Sequence, residues 1–503
     1  MAEQGLRMGT PAGRWVLLTT VLGSSLALLD GTVVNVALAH IGEDLDAGFT
    51  GLQWTVNAYT LSLASLILLG GSLGDRYGRR RIFVIGVIWF ALASLACGLA
   101  PNIETLVAAR ALQGVGGALL TPGSLAIISA SFHGRDRAAA VGAWSGLGGI
   151  AGAVGPFLGG WLVEWTWRAV FLLNLPLAVV VVAVALRHVP ESRDVAAARG
   201  LDLSGTALAV AGLAGLTWSL TELGAGVRSG AVWAALAVGI GALLVFVVVE
   251  RRSRHPLVPP VLFKDRVFTA ANVVTLLVYA ALGALFLLLV LQLQIVAGFP
   301  PVLAGAGLLP VTVVMLLFSS RSGALAERIG PRIPMTVGPI LAACGLLLMM
   351  RIGPAASWLF DVLPAVLVFA AGLTLTVAPL TATVLDAAPD RYAGAASGVN
   401  NAVARAAGLL AVAVIPGVAG IGNADYSDPV AFNAGFRTAL LIGAALLVLG
   451  GLVSALTIRS RLRAEPEPQA EPVGPPLERI PLERCAHCGI SGPQVYPRDS
   501  AGS

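Results

Sequence analysis

Fourteen runs of predominantly apolar residues follow one another along this chain of 503 residues, each close to the length that crosses a bilayer. A hydrocarbon core about 30 Å thick needs roughly 20 apolar residues per helix. Cutting the sequence at its polar and Pro/Gly-rich breaks places the runs at about 15–39, 53–73, 82–100, 105–131, 139–163, 170–187, 203–221, 231–249, 267–291, 303–320, 333–351, 361–385, 394–419 and 434–458. Hydrophobic residues are 57% of the chain and charged residues 12%, far more apolar surface than a water-soluble core of this size could hide. The 60 glycines and 29 prolines fit the same solvent, because spanning helices tolerate both and use glycine to pack closely. The expectation is an all-α integral membrane protein with the lipid bilayer as its surroundings.

Charge sets the orientation. With both termini in the cytoplasm, the inner segments carry 23 Lys and Arg, whereas the outer ones hold only Arg168, Arg228, Arg351 and Arg437. This obeys the positive-inside rule, and one span more or fewer would scramble the asymmetry. The net charge of +5 does not point to nucleic acid, since the basic residues are scattered between apolar runs. Arg7 and Arg14 before an apolar run resemble a signal peptide, but the run is too long for one and contains Asp30, so it reads as an uncleaved first helix in the cell membrane. Cys97 and Cys344 fall inside spans, and Cys485, His487 and Cys488 form only half of a zinc spacing, so neither a disulfide framework nor a metal or other cofactor is expected. The tail beyond Arg463 is Pro- and Glu-rich, the composition of a flexible segment.

An internal repeat divides the chain. GSLGDRYGRRR at Gly71 to Arg81 recurs in degenerate form as GALAERIGPR at Gly323 to Arg332, eight spans later, each time at the inner end of an even-numbered span. Two six-span halves alone would put the copies six apart. The pattern therefore predicts an N-terminal segment (1–14), a first six-helix half (15–187), an inserted helix pair with its loop (188–250), a linker (251–266), a second six-helix half (267–458) and a tail (459–503). Parallel halves of this kind imply a central site at their interface near the midplane.

One carboxylate, Asp30, stands near the middle of the first run, in LALLDGTVVNVALAHI. An acid there is costly and persists mostly where it moves protons or binds cargo. Arg110, inside the fourth run, needs a carboxylate or backbone carbonyls. At about 1.5 Å per residue it lies roughly 8 Å from the outer end of its helix and Asp30 roughly 14 Å from its own, so the two can share a level. Loss of water favours a neutral Asp30 and a nearby Arg110 an ionised one. These opposed effects suit a group that takes up and releases protons; the alternatives are a helix-packing aspartate hydrogen-bonded to a neighbouring span and an Arg110 that snorkels to the outer headgroups from a frayed helix end.

Several segments together resemble the major facilitator superfamily, and within it the fourteen-span drug/proton antiporter branch, from about Trp15 to Arg463. Gly71, Gly74, Asp75, Arg76, Gly78, Arg79 and Arg80 match the superfamily's signature between spans 2 and 3. Glycines permit a tight turn at the helix end, and Asp75 can pair with an arginine or face a helix N-terminus, a latch for the outward-facing state. A basic loop that only fixes topology would account for the arginines and not for the spaced glycines. LVAARALQGVGGA, with Arg110 and Gln113, matches the second antiporter motif, and Gly152, Gly155, Pro156, Gly159 and Gly160 match the fifth-span signature, although Ala151 replaces its leading glycine. Proline among glycines bends a helix and removes bulk where another helix packs or slides. In the family this element goes with export. LLDGTVVNVAL, QWTVNAYTLSLA, WRAVFLLNLP and GAASGVNNAVARAAG add to the match. The resemblance implies a secondary transporter that exports small amphipathic, drug-like molecules in exchange for protons, with Asp30 and Arg110 coupling the two.

Arg405, near mid-depth of the thirteenth run, has no evident acidic partner. It is a candidate for the cavity wall or for bonding to backbone carbonyls. Glu222, at an outer helix end, is a candidate secondary proton or cation site or a solvated terminus. Asn57, Tyr59, Gln113, Asn272, Tyr279, Asn400 and Asn401 are candidate cavity liners, with interhelical hydrogen bonding an equal alternative. A lipid-modifying membrane enzyme would need catalytic groups clustered in a loop, and these loops are short. Uptake by proton symport and a ligand sensor are the other readings. The orientation is testable: in intact cells expressing a variant without Cys97 and Cys344, the tail thiols Cys485 and Cys488 should react with a membrane-permeant maleimide and not with an impermeant one. Labelling by the impermeant reagent would reverse the topology.

Overall fold

A computed structural model describes residues 6–193, 202–253, 256–389, 392–423 and 428–458. The proposed tail with Cys485 and Cys488, residues 1–5 and part of the loop before the inserted pair lie outside these. Among the described residues fourteen helices are long and apolar enough to cross a membrane. They are α1 (Pro11–Asp44), α2 (Phe49–Tyr77), α3 (Arg79–Gly98), α4 (Ile103–Ser131), α5 (Gly134–Val163) and α6 (Arg168–His188), then α7 (Leu203–Gly224) and α8 (Gly230–Arg252). The last six are α9 (Arg266–Val296), α10 (Pro301–Ile329), α11 (Arg332–Met349), α12 (Trp358–Asp386), α13 (Ala393–Val418) and α14 (Pro429–Thr457).

The helices run past the apolar runs because polar residues outside the hydrocarbon cap them. Thr10 accepts from the Gly13 amide, Asn102 from Thr105, Asp202 from Gly205, Asp265 from Val267 and Phe268, and Asp428 from Val430, each satisfying an orphan donor of the first turn. α6 is interrupted at Leu173, and α9 ends in a π-helical turn over Gln292–Val296.

One pairing scheme occurs twice. In the first half α2 and α3 both pack on α4, α1 packs on α5 and α6, and α3 on α6; eight spans on, α10 and α11 pack on α12, α9 on α13 and α14, and α11 on α14. α7 and α8 pack chiefly on each other, with α7 also against α2 and α13. The architecture is two six-helix halves with two inserted helices. The closest approaches within a half use glycine: a Cβ on Gly70 would stand 2.1 Å from the Ala118 carbonyl oxygen, and one on Gly372 would stand 2.2 Å from the Ala342 nitrogen.

The repeated motif is mostly helix, which corrects the expectation of a glycine-built loop. Gly71 and Gly74 lie within α2, and the turn is made by Gly78 alone, at φ +112°, a conformation that only glycine adopts without strain. Its counterpart Gly330, at φ +83°, ends α10 in the same way.

Toward the Asp44 end the halves are sealed together. The Gln53 side chain donates to the Val412 carbonyl (2.7 Å), Gln294 to the Val36 carbonyl (2.9 Å), and the Thr50 amide to Asn423 (2.9 Å). Gly160 of α5 lies against Pro301 and Val302 of α10, while Gly305 meets the Pro156 carbonyl, so the fifth-span motif is the contact surface of this seal. Gly155 and Gly159 pack on Thr32 and Val33 of α1, whereas Gly152 faces open space. Away from the seal α13 still meets α2, with Gly398 against Leu68, but a cleft is left where α1 exposes Leu28 and Gly31 and α13 exposes Gly394, Ser397 and Asn401 along one stripe. A Cβ on Gly160 would sit 2.5 Å from the Pro301 carbonyl oxygen, so Gly160→Val should disfavour the closed seal. A cysteine placed at Val36, buried within the seal, should then react several-fold faster with an impermeant thiol reagent applied from the Asp44 side. Unchanged reactivity would mean that the seal does not depend on this contact.

Candidate functional site

Asp30 and Arg110 meet directly. Each residue is 1% exposed, and an Arg110 Nη1 hydrogen is donated to Asp30 Oδ2 across 2.5 Å. Neither could be placed there alone, because an unpaired charge inside a membrane protein is far more costly than a paired one. The same Nη1 donates to Gln113 Oε1 (2.6 Å), and Arg110 Nε donates to the Thr55 carbonyl of α2 (3.0 Å). The guanidinium also lies 4.3 Å from the Tyr59 ring centroid and 5.8 Å from that of Phe171.

The second carboxylate oxygen is held as firmly. Asp30 Oδ1 accepts from Gln113 Nε2 (2.8 Å) and Asn174 Nδ2 (3.3 Å). Both amides also donate to Ser94 Oγ, at 3.2 and 2.9 Å, and Ser94 donates its own hydrogen to the Phe171 carbonyl at 2.9 Å. Both carboxylate oxygens act as acceptors, which is the hydrogen-bond pattern of an ionised acid. The network binds α1, α2, α3, α4 and α6 into one unit. Its wall toward the cleft is thin, because Gly31, the next residue along α1, opens on free space.

Sequence reasoning missed Asn174 and Ser94. Asn174 sits in the quoted WRAVFLLNLP segment, where an amide among apolar residues was the available signal; Ser94 was one small hydroxyl among many. Gln113, expected as a cavity liner, is buried within the network instead. Asn57 and Asn272 are also buried, so in this conformation neither lines an open cleft. Asn400 of α13 donates to Asn272 and Thr275 of α9 at 3.3 and 2.7 Å, and both side-chain polar atoms of Asn57 lack partners among the described residues. Tyr59 is buried, whereas Asn401 is exposed and Arg405, Tyr279 and Glu222 are half-buried.

At the other end of α2, Asp75 pairs with Arg79 (2.8 Å), one turn on, across the Gly78 bend. Arg76 lies over Tyr77. Glu191, just after α6, accepts from the backbone amides of Arg80 and Arg81 at 3.1 Å each, and so caps the N-terminus of α3, the role that the sequence suggested for Asp75. Arg80 also donates to the Val189 carbonyl (3.0 Å). All these contacts stay within the first half and the segment that directly follows α6. Among the described residues no group of three or more His, Cys, Asp or Glu is placed to share a metal ion.

Two six-helix halves with an inserted pair, a cleft between them and a buried ion pair beside it define a membrane transport protein. The family model of the Major Facilitator Superfamily matches residues 20–412, and the chain belongs to that superfamily. It is 34% identical to the puromycin resistance protein pur8 of Streptomyces alboniger over 95% of this chain and 98% of that one. It is 35% identical to a methylenomycin A resistance protein of Streptomyces coelicolor (92% and 95% covered) and 36% identical to the multidrug resistance protein Stp of Mycobacterium tuberculosis (80% and 75% covered). Among solved structures, a bacterial homolog of the human lysosomal transporter Spinster, in an inward-facing and occupied conformation, shares the fold with a TM-score of 0.62 at 17% identity, covering 91% of this chain and all of that one. A POT family transporter gives a TM-score of 0.67 at 14% identity, with 91% and 99% covered.

Removing one partner of the buried pair leaves the other charged and unmatched. Arg110→Gln should therefore destabilise the purified protein by about 3–5 kcal/mol, and the double variant Asp30→Asn/Arg110→Gln should recover a substantial part of it. Thermal unfolding in detergent measures both. Wild-type stability in the single variant would show that the pair does not hold the half together.

Proposed function

We propose that this transporter exports small amphipathic, drug-like molecules across the cytoplasmic membrane in exchange for protons. The resistance proteins that match nearly the whole chain support drugs or antibiotics as cargo. The observation that carries the coupling is the Asp30–Arg110 pair, a lone deep carboxylate held by a single guanidinium beside the cleft. If both termini are cytoplasmic, as the Lys and Arg distribution favours, the sealed Asp44 end faces out and the cleft opens inward.

The geometry fits the stage of an antiport cycle that follows proton release. Both Asp30 oxygens are engaged as acceptors, so the carboxylate is arranged as one that has given up its proton to the cytoplasm and recovered Arg110. A proton arriving from outside would neutralise Asp30 and deprive Arg110 of its counter-ion. A buried charge does not stay unpaired, so α1 and α4 must rearrange. That links protonation to the relative positions of the helices. The glycines of α5 against α1 and α10 supply the surface on which the outer seal opens and closes. The Asp75, Arg79 and Arg80 turn, tied to Glu191, is free in this state to engage the second half when the inner end shuts. One proton crossing about 150 mV supplies roughly 3.5 kcal/mol, enough to hold a gradient of a few hundred-fold for a neutral cargo.

Asp30→Asn keeps the shape of the side chain and removes the exchangeable charge. In reconstituted vesicles, uphill dye transport driven by a proton gradient should fall to background, while downhill exchange of dye for dye continues. Full proton-driven transport in the variant would dismiss Asp30 as the coupling group.

A further inference from the structure

The charge of Arg110 is met by Asp30; that of Arg405 is met by no carboxylate among the described residues. Arg405 lies 12 residues past Ala393 and 13 before Val418, about 18–20 Å from either end of α13. Arg321 and Arg437, which also lack acidic partners, are exposed and stand 8 residues from an end of their helices, close enough for long side chains to reach the headgroups. Arg405 has no such exit. Its Nε donates to Asn401 Oδ1 at 3.0 Å, and its Nη hydrogens have no protein acceptor among the described residues.

Its surroundings hold it in place. One turn beyond it, Gly408 is in backbone contact with Gly283, where a Cβ on Gly283 would stand 2.6 Å from the Gly408 Cα, and one turn before it Asn400 bonds to Asn272 and Thr275. These contacts clamp α13 to α9. Arg405 continues the exposed stripe Gly394, Ser397 and Asn401 to the depth at which the cleft closes, below Val412 and its bond from Gln53. Tyr59 of α2 is buried and gives its hydroxyl hydrogen to the Ala27 carbonyl (3.4 Å), whereas Tyr279 of α9 is half-buried.

We infer that Arg405 is the counter-charge for an anionic group of the cargo, so that the molecules carried are organic acids, with Asn401 orienting the guanidinium. An intramembrane cation without a carboxylate partner calls for an anion from elsewhere, and the planar fork of arginine matches a carboxylate in a way that a point charge does not. This deepens the exporter reading above and rests on it for the direction of transport.

Two xanthene dyes of like shape and opposite charge test it: fluorescein, an anion at neutral pH, and tetramethylrhodamine methyl ester, a cation. Binding to the purified full chain is followed by fluorescence polarisation, and proton-driven transport is measured in vesicles made from the same preparation. Wild type should bind fluorescein at least about tenfold more tightly than its cationic twin, Arg405→Gln should abolish the preference, and Arg405→Lys should retain part of it. An equal or stronger affinity for the cation in wild type, which needs no variant to fold, would overturn the inference. So would a preference that survives in monodisperse Arg405→Gln. Should fluorescein be preferred while neither dye moves under a proton gradient, the anion site stands and the exporter reading falls. Transport of both dyes without any preference in binding would remove the anion site and leave the exporter standing.

Discussion

Water is missing where this chain places its two opposite charges, and that scarcity organises the first half of the molecule. A guanidinium and a carboxylate, each nearly inaccessible, are tolerable only because each is the other's counter-ion and because Gln113, Asn174, Ser94 and the Thr55 carbonyl occupy what they leave unsatisfied. Five helices donate to that network, so none of them can shift alone without stranding a polar group. The half owes its rigidity to this network.

The two halves use different means of contact. Within a half, glycines bring backbones together, as at Gly70 on Ala118 and Gly372 on Ala342. Between the halves the seal toward the Asp44 end combines glycine contacts with long amide side chains that reach across to carbonyls. Such bonds exchange readily for water, whereas a glycine crossing has no substitute once a neighbouring helix has moved in. A surface made of both closes firmly and still separates, as alternating access requires.

The halves are alike in how their helices pair and unlike in how they are charged. The first contains its positive charge within a closed network; the second leaves Arg405 facing the cleft with a single amide for company. Two halves with one helix-pairing scheme thus differ, one holding an internal ion pair and the other an arginine with no carboxylate partner among the described residues. The opposite arrangement, with two self-neutralised halves, would leave the cleft without electrical preference.

The sequence by itself determined the solvent, the number of spans and the repeat. Apolar runs of bilayer length have no other way to satisfy their backbone than as helices, and the distance between GSLGDRYGRRR and GALAERIGPR already required an inserted pair. It also singled out Asp30 and Arg110, because a charge in such a run is conspicuous whatever it touches. Only the tertiary structure decided what those charges are for geometrically. Rise per residue puts two groups at one depth but does not say which faces of two helices meet, so direct pairing, the recruitment of Asn174 and Ser94, and the burial of Gln113 away from the cleft could not be read from spacing. The glycine motif shows the same limit: its spaced glycines suggested a tight turn, yet Gly71 and Gly74 are helical and Gly78 alone bends the chain, since a glycine's role depends on the backbone that approaches it. Depth and charge are properties of the one-dimensional chain, whereas partnership depends on the rotation of each helix about its axis, which packing alone selects.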